Sequence, residues 1–132
     1  MTKRAFSALV AAGLSLCALS AAAQTPSAST GCLKLGQIDG FSAIKGNDRA
    51  FVVTDKLHRR FRIILLNQCP GMQNNIGVQF RTLESGRLAC VSRGDTVISP
   101  DPEMTGARCP ITAVVPYTAA MEAADKAAAP TR

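Results

Sequence analysis

Cys32, Cys69, Cys90 and Cys109 carry the most versatile chemistry in this chain of 132 residues. A cysteine can act as a nucleophile, a metal ligand or half of a disulfide, and spacing separates the three roles. No C-x-x-C pair occurs, so a zinc ribbon or a thioredoxin-type dithiol lacks its usual spacing. No C-x-x-C-H segment is present to attach haem. A Cys/His catalytic pair would need a free thiol beside His58, the single histidine. An even set of four in an exported chain reads instead as two structural disulfides. The segment NQCPGM around Cys69 fits that role, because Pro70-Gly71 is a turn signal that a bridge would pin. Four cysteines allow three pairings. A nested order, Cys32–Cys109 with Cys69–Cys90, would tie the ends of the domain together and is the expectation here. The alternative class is a small thiol-active factor or enzyme using Cys69 or Cys90 as a thiolate in an electropositive setting.

The second cluster is basic: Lys56, His58, Arg59, Arg60 and Arg62. On a strand Arg60 and Arg62 share a face, so two guanidiniums could fork onto one anion. Lys56, Arg59, Arg60 and Arg62 are therefore the candidate anion-binding residues, with an acidic envelope component or protein as partner. The structural reading of the same residues is a solvated strand whose charges discourage edge-to-edge pairing. Nucleic acid is not expected. Single-strand readers interleave exposed aromatics with basic residues, whereas this chain has five Phe, one Tyr and no Trp. Arg93-Gly94-Asp95 spells an adhesion tripeptide, but a glycine and an aspartate opening a strand have a structural role there. Asp39, Asp48, Asp55, Glu84, Asp95, Asp101 and Glu103 are scattered, several of them at turns. No nucleophile elbow, zinc-protease, P-loop or dinucleotide motif is found. No catalytic residue, metal or cofactor is expected.

These side chains need a scaffold, and the N-terminus says where it is built. Lys3 and Arg4 precede an apolar run, residues 5–19, and Ala21-Ala22-Ala23 offers a small-residue cleavage site before Gln24. That is the layout of a secretory signal peptide. The run is too short to cross a hydrocarbon core of roughly 30 Å. Cys17 follows the bulky Leu16 and leaves with the leader rather than accepting lipid. The expected destination is the periplasm, with no membrane span in the mature chain. The sequence has 15 basic residues, two of them in the leader, against 9 acidic ones. The mature balance is then about +4, mildly basic.

After the leader, residues 24–31 form a flexible polar segment, and residues 32–117 a single β-rich domain. Residues 118–132 read as a frayed helix or disordered tail, since a short isolated alanine-rich helix is marginal in water. Strand patterns cover residues 33–44, 50–54 and 58–66, the last with Phe61, Ile63 and Leu65 on one face and Arg60, Arg62 and Ile64 on the other. Residues 76–82 and 87–91, joined through Ser85-Gly86, read as a hairpin. Residues 95–99 and 109–117 complete the set. Six to seven short strands imply a small all-β barrel or sandwich, stapled by disulfides, with one short helical turn near Cys69.

The order of motifs resembles a family of small secreted Gram-negative bacterial proteins of unknown function with four cysteines. The matching positions are Cys32 with Ile38-Asp39, Cys69-Pro70-Gly71, Cys90 with Gly94-Asp95, and Cys109 with Ile111. The strand around residues 58–64 departs from that pattern in carrying arginine in place of aromatic character. The resemblance implies an exported four-cysteine domain and brings no catalytic residue or ligand with it. Together these features suggest a non-enzymatic binding or structural module at the cell envelope.

Overall fold

The computed structural model describes residues 32–74, 77–99, 101, 103 and 106–131. The expected leader, Cys17 and the segment 24–31 lie outside the described residues. Six strands form: β1 (Ile38–Ile44), β2 (Asn47–Asp55), β3 (Arg60–Leu65), β4 (Gln79–Arg81), β5 (Thr96–Ile98) and β6 (Arg108–Pro116). Single 3-10 turns cover Leu35–Gln37 and Met72–Asn74, and one helix, α1, covers Ala119–Ala128. The strands make one antiparallel sheet in the order β1-β2-β3-β6-β5-β4, curled into a half-barrel. The all-β, disulfide-stapled fold expected from the sequence is the fold observed.

Alternation decides which face is inside. In β2 and β3 the register places Phe51 opposite Ile63 and Val53 opposite Phe61, and all four are buried. They join Leu33, Leu65, Met72, Val91, Val97 and Ile111 in one core on the concave side. The intervening residues face outward, where Ile44, Ala50 and Val52 form a smaller cluster under Tyr117. β6 holds the two halves of the sheet together. Its Ile111 to Pro116 stretch pairs with β3, and its Arg108 to Pro110 stretch pairs with β5.

The bridges are Cys32–Cys90 and Cys69–Cys109, so the nested order is replaced by an interleaved one. The reason is topological. Cys109 sits on β6, in the middle of the sheet, beside the segment that leaves β3 and carries Cys69. Its buried bridge lies inside the core. Cys32, by contrast, meets the segment 87–91. The bridges span sequence separations of 58 and 40 residues. Loop-closure entropy alone makes each worth about 4 kcal/mol against the unfolded chain.

The expected hairpin of residues 76–82 with 87–91 does not form. β4 pairs with β5 instead, Phe80 opposite Val97. Residues 87–91 run along the N-terminal segment: the amides of Leu35 and Gly36 donate to the carbonyls of Ala89 and Arg87, and that of Val91 to Leu33. Burial drives the exchange, since Leu33, Ala89 and Val91 all enter the interior. Gly36 is needed for the approach, because a Cβ there would lie 2.9 Å from the Arg87 carbonyl oxygen.

Candidate functional site

Two places on this scaffold concentrate functional chemistry. The first is the basic strand. Arg60 and Arg62 share the outer face of β3, as their spacing requires. Helix α1 lies over that face and supplies the anions. Arg60 bonds Glu122 at 2.6 Å and Arg62 bonds Asp125 at 3.0 Å. The Arg60 guanidinium also stacks 4.7 Å from the Tyr117 ring centroid, and the Tyr117 hydroxyl donates to Asp125 at 3.0 Å. Thr118 caps the helix by accepting from the Met121 amide, and Glu122 makes an i,i+4 pair with Lys126. No residue of α1 is fully buried; a polar contact set docks this alanine-rich helix. The pairing lowers the Glu122 carboxyl pKa through the hydrogen bonds and charges of Arg60 and Lys126.

Arg59 is engaged differently. Asp55 is wholly buried, and its carboxylate accepts from the Leu57 and Arg59 amides and from Arg59 Nε, at 3.0, 2.8 and 2.8 Å. This clasp closes the β2–β3 turn, in which His58 takes a left-handed φ of 60°. Burial pushes the Asp55 carboxyl up, but the hydrogen bonds from Arg59 and Leu57, with the Arg59 charge, outweigh it and hold it below its ordinary value. Of the candidate anion-binding set, Arg59, Arg60 and Arg62 are each paired within the chain. Lys56 has no ion-pair partner among the described residues.

The second place is a seam. The half-barrel leaves β1 and β4 as the two edges of the sheet, and they approach across a cavity of about 410 Å³. Leu35, Ile38 and Phe41 line one side, Val78 and Phe80 the other, with Val53 as floor. The Phe51 ring bridges the halves, its centroid 5.2 Å from Phe41 and 6.2 Å from Phe80. Asp39 stands at the mouth, exposed. The register of β1 against β2 slips between Ile38 and Gly40, so Asp39 sits on a β-bulge, a device that re-aims a side chain. An apolar slot with one carboxylate at its rim can hold an amphipathic molecule. Its volume lies at the lower end of the usual ligand-pocket range of roughly 300–1,000 Å³.

Sequence reading missed the seam because its walls come from strands far apart in the chain. The one local signal is Gly40, since a glycine inside a strand pattern often marks a bulge. The remaining sequence candidates are held in bridges or hydrogen bonds of the fold. All four cysteines among the described residues are oxidised, so a thiol-active role requires an opened bridge; Cys32–Cys90 is half-buried, whereas Cys69–Cys109 is enclosed. Asp95 of the adhesion-like tripeptide is buried and accepts from the Leu83 and Ser92 amides. Among the described residues no three His, Cys, Asp or Glu side chains converge to hold a metal. No helix there is long and apolar enough to cross a membrane.

No curated protein and no solved structure matches the chain. A family model does match, over residues 1–131, and by it the chain belongs to the Family of unknown function (DUF6491).

Proposed function

We propose that this protein is an exported, non-enzymatic binding module of the cell envelope. Its seam between β1 and β4 holds the apolar part of a small amphipathic ligand, while Asp39 receives a cationic or hydrogen-donating head. The observation that carries the reading is the seam itself. Five partly buried apolar side chains pack against the core and leave an open cavity between the two edges of the unclosed barrel. Concave, mostly apolar cavities with a few placed polar groups are the common form of ligand site. Export is supported by the layout of residues 1–23 and by two disulfides, which persist in oxidising compartments. The placement is the periplasm.

The test uses dodecylamine and dodecanol below their aggregation concentrations, followed by calorimetry. Both should bind, the amine more tightly, and Asp39→Asn should erase the difference. Val78→Trp, which fills the slot from its rim, should abolish binding of both with little change in melting temperature. Absence of binding by either probe, or binding indifferent to Val78→Trp, would overturn the reading. Export is tested separately by the intact mass of periplasmic protein before and after reduction and thiol alkylation. A chain beginning at Gln24 that takes label on four cysteines only after reduction is the expected result.

A further inference from the structure

Leu83 and Leu88 are the most exposed large apolar residues described, at 81% and 78%. Exposure alone is common, but here the backbone forbids retreat. The Leu83 amide donates at 2.8 Å to Asp95, whose carboxylate is itself buried. Leu88 stands between Arg87 and Ala89, and the carbonyls of both accept from the N-terminal segment, at 2.9 and 3.0 Å. The next residue but one, Cys90, is bridged to Cys32. The two leucines are therefore held outward by a loop pinned at three points.

Charge gathers on the same loop. Arg81 and Arg87 flank the leucines, and Arg93 adjoins Gly94, over which the Leu83 side chain lies. All three arginines are exposed, and none makes an ion pair among the described residues. Glu84 is the one acid within the loop. Apolar tips surrounded by arginines suit the boundary between headgroups and acyl chains. Leucine enters the hydrocarbon there, and guanidiniums stay at the phosphates. An exposed loop with apolar tips suits a fluid surface, which can yield to it, better than the folded surface of an acidic protein. We propose that the loop bearing Arg81, Leu83, Arg87, Leu88 and Arg93 docks this protein on anionic lipid bilayers. The loop adjoins the seam, but none of these five side chains lines it, so either can fail without the other.

The test is co-sedimentation of the full chain, as recovered from cells, with vesicles of equal phosphatidylglycerol and phosphatidylcholine or of phosphatidylcholine alone. Binding should favour the anionic vesicles and weaken as salt rises. Leu83→Ser with Leu88→Ser should lower partitioning at least about tenfold, with an unchanged melting temperature because both side chains are already in solvent. Replacing Arg81, Arg87 and Arg93 by glutamine should lower it about fivefold for each charge removed. Equal binding to both vesicle types overturns the proposal. So does binding that survives the leucine substitutions, which would place the contact in another segment. If polyglutamate binds through these residues while vesicles do not, the surface belongs to an acidic protein and the proposal fails.

Discussion

Asp125→Ala should free α1 from the sheet without unfolding it. The carboxylate holds Arg62 at 3.0 Å and the Tyr117 hydroxyl at 3.0 Å. The Arg62 and Asp125 side chains are 20% and 13% exposed, so the pair lies between two regimes. Exposed ion pairs contribute roughly 0.2–1 kcal/mol, while breaking a buried one costs roughly 3–5 kcal/mol. Arg62 Nε is already buried without a hydrogen-bond partner, so losing Asp125 leaves the guanidinium poorly satisfied. A loss of about 2 kcal/mol is the intermediate expectation. Because no α1 residue is fully buried, that loss should appear as local opening. Amide exchange in α1 should accelerate about 30-fold, while the amides of Phe61 and Ile63 keep their rates. Alanine is the better helix former, so intrinsic propensity acts against the change and sharpens the test. Arg62→Met combined with Asp125→Leu should recover much of the protection, since an apolar pair removes both desolvated charges. Exchange in α1 within twofold of the parent after Asp125→Ala would refute the account, and helix packing would then carry the docking.

Two further predictions use titration. The Asp55 carboxyl lies below its ordinary value of 3.8 in the fold. Its contribution is therefore fully present above that value and is lost as pH falls through the depressed one. Urea midpoints measured from neutral pH down should drop at the acid end, and Asp55→Asn should start lower and show a shallower acid slope; identical slopes would remove Asp55 from the cause. Tyr117 is the single tyrosine in a chain without tryptophan, so phenolate absorbance reads it alone. Burial, then the hydrogen bond to Asp125 and the charges of Asp125 and Glu122, raise it above 10.0. Asp125→Ala should bring the midpoint back toward that value, and a parent midpoint at or below 10.0 would contradict the geometry.

The parts of the fold written as local alternation were legible. The outward arginines and inward Phe61, Ile63 and Leu65 of β3 follow from a period of two, and Gly46 and Gly94 take the positive φ values that turns there require. What was not legible depends on pairing across distance. Ser85-Gly86 does interrupt the strands, yet a turn signal cannot say which segment lies next to which. Residues 87–91 went to the N-terminal segment because Leu33 and Val91 needed the same core. The cysteine order failed for the same reason, since it assumed the last strand closes the domain, whereas β6 lies at its centre. The period of two put Arg60 and Arg62 on one face, but not the groups they meet there. The carboxylates that answer them sit about sixty residues further on, in a segment whose alanines gave no sign of docking.

That internal pairing also determines what the rest of the surface can do. Three of the nine carboxylates, Asp55, Glu122 and Asp125, are engaged by Arg59, Arg60 and Arg62. The most concentrated run of basic residues in the sequence is thereby neutralised at short range, where screening by salt has least effect. The unpaired positive charge that remains includes Arg81, Arg87 and Arg93, on a loop whose only acid is Glu84. An anionic surface approaching the folded protein therefore meets that loop as a cationic patch, while the strand that looks most basic in the sequence presents a helix with its own acids. Releasing α1 would reverse this order by exposing Arg60, Arg62 and Tyr117 together. A variant lacking Asp125 should then bind anions at β3 that the parent does not, and an anion-binding gain confined to that variant would show that the helix, rather than the strand's composition, sets which face is electropositive.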